Sequence, residues 1–271
     1  MLKKAVSRNH KNFKMKLSDK MLTSSRKRLL QMHFESAVGH IGGNLSCLDA
    51  MMLVHHEYVG LKDRFILSKG HSAGALYITL WSLNRLSDDS LKKFHKDDTL
   101  LAGHPPASGV KDILFATGSL GHGLSLAAGT ALAMQLKGVS GNVYCLTSDG
   151  EWQEGSTWEA VIFASHHRLN NLTILVDHNN LQGFGRTEDV ASMSPLATKI
   201  SGFDLDIQCV DGHDLASIRV ALDKQTKKCR VIILETTKGR GVSFMEDRME
   251  WHYLSLKEEQ YLKAIREMEA K

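Results

Sequence analysis

Apolar positions along the chain fall into two rhythms. From Ser18, a candidate N-cap followed by Asp19, apolar residues at Leu22, Leu29, Met32 and Val38 recur at helical spacing until Gly39 can end the helix. A second helix is expected from Ser46, where the spacing to Asp49 reads as a capping box before the run Ala50 to Val54. Beyond it, short apolar or β-branched runs alternate with longer helical ones. The runs at 64–67, 143–147, 172–176, 205–210 and 231–236 read as strands. Helices are expected at 73–83, at 131–136 behind a Gly-rich stretch (118–129), at 157–167, at 215–225 and from Leu256 onward. Strands that are unbroken apolar runs separated by helices predict a mostly parallel sheet covered on both faces, a doubly wound α/β fold. Neither a repeat nor a low-complexity linker divides the chain. One domain is expected over residues 18–271, behind a basic stretch (1–17) that reads as a tail or surface helix, with Lys3, Lys4, Arg8, Lys11, Lys14 and Lys16 and no acid.

Composition narrows the class. With 271 residues and 42% hydrophobic content the chain can bury a full core, and its net charge of +4 falls far short of the excess that sequence-independent nucleic-acid binding demands. No stretch approaches the roughly 18 apolar residues of a membrane helix, and no signal peptide is visible. A soluble, cytoplasmic protein is expected. Cys47, Cys145, Cys209 and Cys229 form no C-x-x-C pair, so buried free thiols are expected, with neither zinc nor disulfides. The chain has 22 Gly and 14 His, many of them adjacent, which hints at polar sites lined by backbone.

In such a fold, ligands bind beyond the carboxyl ends of the strands. The strand at 143–147 runs into Ser148-Asp149-Gly150, and the strand at 172–176 into Asp177-His178-Asn179-Asn180. Asn179 follows Asp149 by thirty residues, one βα unit, which would set a carboxylate and an amide oxygen side by side on one rim. A hard-oxygen pair suits Mg²⁺ or Ca²⁺, and Mg²⁺ commonly completes its octahedron with substrate phosphate oxygens. A bound diphosphate is the natural third party, with Gly150 allowing close backbone approach. Singly, Asp149 and Asn179 read as turn residues; together they favour a site. Among the histidines, the pairs His55-His56 and His166-His167 lie in helical stretches, where neighbours diverge and surface or partly buried roles are expected. His40, His71 and His104 flank glycines outside helices, where a side chain can be aimed.

The run from Asp149 to Gly155, followed by Val176 to Gln182, resembles the D-G…N motif of thiamine diphosphate enzymes and, in detail, the transketolase family. Gly39-His40-Ile41-Gly42-Gly43, Ser68-Lys69-Gly70-His71, Gly103-His104-Pro105, the run Thr117 to Gly123, and Lys238 to Phe244 with Trp251-His252 are similar, in order, to further motifs of that family. The resemblance implies a metal held by Asp149, Asn179 and the carbonyl of Leu181, with thiamine diphosphate contacted by His71, Gly118, Ser119, Leu120, Gly150, Glu151 and His252. It implies that His40, His104 and His252 line the channel for the sugar's carbonyl and first hydroxyls, where neutral imidazoles can give or take protons. It further implies that Glu154 is an acid pairing between cofactor sites across an interface; as a first-turn helix residue it also suits the helix dipole. Two departures stand out: Ser148 where the motif has a glycine, and His122 where many relatives have glutamine.

In this family the Glu that activates the cofactor belongs to a pyrimidine-binding domain, which the matched region does not include. The resemblance therefore implies an N-terminal transketolase subunit that works with a separate C-terminal pyrimidine-binding subunit in an α2β2 heterotetramer. The implied reaction transfers a two-carbon ketol unit from a ketose or ketose phosphate to an aldehyde, and His104 favours a hydroxyketone donor over a 2-oxo acid. Two alternatives stand beside it: half of another thiamine diphosphate enzyme, either 2-oxo acid decarboxylating or 1-deoxyxylulose-5-phosphate synthase-like, and a non-catalytic scaffold.

Overall fold

The computed structural model describes residues 15–107 and 109–270, so the basic stretch before Met15 lies outside the described residues. Five strands, β1 (Arg64–Leu67), β2 (Val143–Ser148), β3 (Leu172–His178), β4 (Leu205–Asp211) and β5 (Cys229–Glu235), form one sheet in the order β1-β2-β3-β5-β4. Every neighbouring pair is parallel. The seven longer helices are α1 (Asp19–Ser36), α2 (Ile41–Leu53), α3 (Ala73–Ser82), α4 (Gly123–Leu136), α5 (Gly155–His166), α6 (Leu215–Asp223) and α7 (Glu258–Glu269). Alternate strand residues supply two cores. Leu146, Leu175, Ile232 and Leu234 pack with residues of α1, α2, α3, α6 and α7, whereas Cys145, Ile174, Val176, Val231 and Ile233 pack with residues of α4 and α5. Burial on both faces explains why the strands read as continuous apolar runs. Among the described residues no helix is long and apolar enough to cross a membrane.

Ser18 caps α1 as expected, its hydroxyl accepting from the Met21 amide, and Asp19 stands in the first turn. The helix ends at Ser36, earlier than expected, on Ala37 in the left-handed conformation. Gly39 has a different duty: a Cβ there would lie 2.5 Å from the Tyr253 carbonyl oxygen. The expected capping box at Ser46 does not form. α2 begins five residues earlier, at Ile41, and carries Ser46 and Asp49 buried in its interior. Its glycines serve packing, since a Cβ on Gly42 would crowd Lys238 and Trp251 at 3.1 and 3.2 Å.

His55 and His56 are buried in a π-helical turn, Val54–Tyr58, that prolongs α2, which corrects the surface or partly buried roles expected of them; His166 and His167 are exposed. Met15 and Leu17 tie the start of the described chain to that turn, through amide bonds to the His56 carbonyl (3.0 Å) and the Glu57 carboxylate (2.8 Å). Cys47, Cys145 and Cys229 are buried free thiols; Cys209 is exposed.

Burial pushes His33 down to about 4 and His55 down to about 3. Both are neutral in the folded chain at pH 5 but protonate when it unfolds, because the unfolded imidazole titrates near pH 6.5. Their contribution is complete above pH 6.5 and is lost as the pH falls toward 4 and then 3. The wild-type chain should therefore lose up to about 1.4 kcal/mol per pH unit per histidine between pH 6 and 5 relative to a His33→Gln/His55→Gln variant. Urea melts across that range check it, and parallel curves would contradict it.

Candidate active site at the carboxyl rim of the sheet

Because β1, β2, β3 and β5 run parallel, the segments that follow them meet on one rim. Ser148 pairs with Asp177 at the ends of β2 and β3, so Asp149 and Asn179 leave adjacent strand tips, as their spacing suggested. The tips are stitched together. The Asp149 amide donates to the Asp177 carbonyl (3.2 Å), and the Asp149 carboxylate accepts from the amides of Asn180 (2.6 Å) and Gly150 (2.8 Å). The Asn179 amide group donates to Asp177 (3.2 Å), while its oxygen accepts from the Leu181 amide (3.1 Å). That contact fixes which end of the Asn179 amide is the oxygen, and the oxygen keeps a second lone pair. Burial, and then the nearby Asp177 carboxylate, raises the Asp149 carboxyl above its ordinary range. A cation would relieve that strain.

Asp177 is the hub behind these side chains. Fully buried, it accepts from Ser46 Oγ (2.6 Å), Thr236 Oγ1 (2.5 Å), Asn179 and the buried Lys69 ammonium. Burial opposes ionisation of both partners, but their mutual attraction prevails: Asp177 is held below the usual carboxylate range and Lys69 above the usual lysine range. Lys238 stands otherwise. It is buried, its Nζ lies 3.3 Å from the Leu181 carbonyl oxygen and 3.2 Å from His252 Nδ1, and it forms no ion pair with a carboxylate among the described residues. Burial, then Lys69, depresses it to about 8. A buried ammonium facing imidazole and carbonyl lacks the counter-charge that an anion would supply. Lys69 and Lys238 sit within the sequence motifs quoted above, which drew attention to their glycines and histidines; the roles of Lys69, Lys238 and Asp177 emerge only from the fold.

Four histidines converge here from separate segments. His40 precedes α2, His71 lies in the 3-10 turn Gly70–Ser72, His104 in the connection before α4, and His252 in the 3-10 turn Met249–His252. The His40 ring centroid lies 5.0 Å from His252, 5.5 Å from His71 and 6.1 Å from His104; His71 and His252 are 5.4 Å apart. Burial depresses all four, with His104 and the lysines adding to the effect on His40 and Lys238 adding to that on His252, which reach about 4 and about 3. They are neutral at physiological pH. Among the described residues no group of three or more His, Cys, Asp or Glu is arranged to hold a metal ion. The cluster is a set of neutral donors and acceptors beside the hard-oxygen pair. Gly118 is required at its wall: at φ +151 it leaves no room for a Cβ, which would stand 2.9 Å from the His104 ring.

The remaining candidate residues fall elsewhere. Glu151 is buried and its carboxylate is spent on the protein, accepting from Ser68 Oγ, the Gly121 amide (3.0 Å) and the Ser148 amide (2.9 Å). It clasps the Gly118–Gly121 loop to the end of β2, and Ser148 joins that clasp with its hydroxyl (3.4 Å). Glu154 is exposed at the start of α5 beside Gly121 and is not among the histidines. Exposed Ser119 and His122 line an open cleft of about 500 Å³ with Thr117 and Gly118, and Leu120 holds His122 Nδ1 with its carbonyl (3.1 Å).

The sequence pattern of the transketolase thiamine diphosphate binding domain matches residues 47–269. The chain is 36% identical over 256 residues to an apulose-4-phosphate transketolase subunit of Phocaeicola vulgatus, covering 90% of this chain and 91% of that one. It belongs to the transketolase family. A 6-deoxy-6-sulfo-D-fructose transketolase subunit from a Clostridium species is 33% identical, over 90% of this chain and 93% of its own length. The solved transketolase of Campylobacter jejuni superposes with a TM-score of 0.82 at 26% identity; the match covers 93% of this chain and 43% of that one. This transketolase-family chain therefore spans less than half of that solved enzyme, and it corresponds to the family's N-terminal, thiamine diphosphate-binding part.

The residues present fit that cofactor. Asp149, Asn179 and the Leu181 carbonyl offer only oxygen, the donor type of Mg²⁺ or Ca²⁺. Among the described residues, Lys238 supplies a buried cation without a carboxylate partner, and Thr117 Oγ1 is a buried hydroxyl without a hydrogen-bond partner at the edge of the Gly118 loop.

Proposed function

We propose that this chain is the N-terminal subunit of a two-component transketolase that works with Mg²⁺ in the cytoplasm, paired with a C-terminal pyrimidine-binding subunit in an α2β2 heterotetramer. The observation that carries the reading is the convergence of four neutral imidazoles beside the Asp149–Asn179 pair and the Lys238 ammonium. Thiamine diphosphate, when bound, would supply the carbon nucleophile needed for transfer of a two-carbon ketol unit from a ketose to an aldehyde.

The chain's own part is threefold. Asp149, Asn179 and the Leu181 carbonyl anchor the cation, Lys238 and His71 meet the diphosphate and its surroundings, and His40, His104 and His252 exchange protons with the oxygens of a hydroxyketone at their ring nitrogens. Neutral imidazoles suit that exchange, because each offers one N–H and one lone pair. Relatives of nearly the same length named as transketolase subunits support the division into two polypeptides.

The isolated chain should show no more than trace ketol transfer, and addition of the adjacent-gene product should restore turnover dependent on Mg²⁺ and thiamine diphosphate. Assays with xylulose 5-phosphate and with pyruvate as donors separate this reading from a 2-oxo acid enzyme. Full turnover by the isolated chain, or a preference for pyruvate, would refute it.

A further inference from the structure

We infer that Asn44 is the positioning residue that sets the spacing of the histidine cluster, acting through the backbone of His40 and His71. The inference rests on the functional reading above for its kinetic arm only.

Asn44 sits in the first turns of α2 and is 1% exposed, and both protons of its side-chain amide are used. Its Nδ2 donates to the carbonyl oxygens of His40 (2.8 Å) and His71 (3.2 Å), and its Oδ1 accepts from the Ala75 amide (2.6 Å). One planar amide thus joins the residue before α2, the 3-10 turn that carries His71 and the start of α3. His40 needs such a hold. It adopts φ 64, ψ 7, a left-handed conformation unfavourable for a residue with a Cβ. On its other side the His40 amide donates to the His252 carbonyl (3.1 Å), so the clamp reaches a third histidine through the same residue.

The match to Asn is chemical. Two carbonyls and one amide N–H demand two donors and one acceptor within a short side chain, and only Asn meets that demand at this reach. Serine has a single donor, Gln is one carbon too long, and Asp would turn a carboxylate oxygen toward two carbonyls in a buried place. Close approach of α3 depends on Gly74, whose Cβ would lie 3.0 Å from Asn44 Oδ1 and 2.5 Å from His33 Nε2.

The test uses Asn44→Ala and Asn44→Ser, with Leu222→Ala in the core of α6, away from the histidines, as a control that loses stability without touching the clamp. The first readout is the ¹H–¹³C spectrum of the histidine rings in the chain alone. The His40 and His71 signals should shift in both Asn44 variants, less in Ser than in Ala, and stay in place in Leu222→Ala. The second is steady-state kinetics of the complex with its partner subunit, loaded with Mg²⁺ and thiamine diphosphate. There kcat should fall about 10- to 100-fold in the Asn44 variants, the cost of displacing a reacting group by about 1 Å, while KM for the ketose changes less. Unmoved ring signals in a folded Asn44→Ser chain, or losses matched by Leu222→Ala, would overturn the assignment. If Asn44→Ala fails to fold, the Ser variant decides. Absence of ketol transfer by the wild-type complex would instead count against the functional reading, and the ring spectra would still judge Asn44.

Discussion

Asp149→Ala should fold and yet bind neither divalent cation nor thiamine diphosphate measurably, a loss of more than two orders of magnitude in affinity. The direction follows from the two environments of the carboxylate. Without a cation, Asp149 is a buried acid whose ionisation is opposed by burial and by Asp177, and what holds it is the pair of amides from Gly150 and Asn180. Removing it forfeits those two bonds, about 1 kcal/mol each, but also removes a like charge from beside Asp177, so the cation-free chain should change in stability by no more than about 2 kcal/mol. In the proposed cation site, the same carboxylate would be the charged ligand in a donor set otherwise made of an amide oxygen and a backbone carbonyl. Even partners behind a ligand cost 10- to 100-fold in affinity when lost, so loss of the charged ligand itself should exceed that. Calorimetry on the assembled complex reads the cofactor, and a urea melt of the chain alone reads stability. Unchanged calorimetric binding would take Asp149 out of the metal site.

The strand tips were legible because their signals are local. An unbroken apolar run ending in Ser148-Asp149-Gly150 says both that the strand is buried on two faces and that it stops where polar residues begin, and spacing alone set Asn179 one strand away. The same locality placed β1 at Arg64–Leu67 and the N-cap at Ser18. Ser46 misled for a related reason. The Ser46 to Asp49 spacing reads as a capping box, yet α2 already runs through Gly42, where Trp251 and Lys238, about two hundred residues downstream, leave little room for a Cβ. A capping signal and a buried hydroxyl aimed at Asp177 look alike in one dimension. Glu151 and Glu154 show the converse: two acids three residues apart in one motif, of which the fold buries one as a clasp between loops and leaves the other in solvent. The Lys69–Asp177 pair was out of reach because its members are 108 residues apart, and no periodicity marks a lysine that will be sealed from water.

That pair carries the second large effect. Asp177→Asn should destabilise the chain by about 3–5 kcal/mol, since it leaves the Lys69 ammonium buried without a counter-charge. The cost is larger than for an exposed ion pair because neither partner can recover its hydration: their side chains are 1% and 0% exposed. A second consequence separates this variant from a simple core defect. Asp177 accepts from the Asn179 amide group, and with an amide in its place that contact loses its charge assistance and can turn, freeing Asn179 to rotate its oxygen away from the cation. Cation affinity should therefore fall about 10- to 100-fold even at a temperature where the variant is fully folded. Lys69→Met in the Asp177→Asn background should recover most of the lost stability, because it removes the stranded charge, but should leave Asn179 unsupported and cation affinity low. A double-mutant cycle scored by urea denaturation and by Mg²⁺ titration of the complex distinguishes the two effects. Recovery of both quantities together would mean that Asp177 serves the ion pair alone, and recovery of neither would mean that the lysine is not the group it compensates.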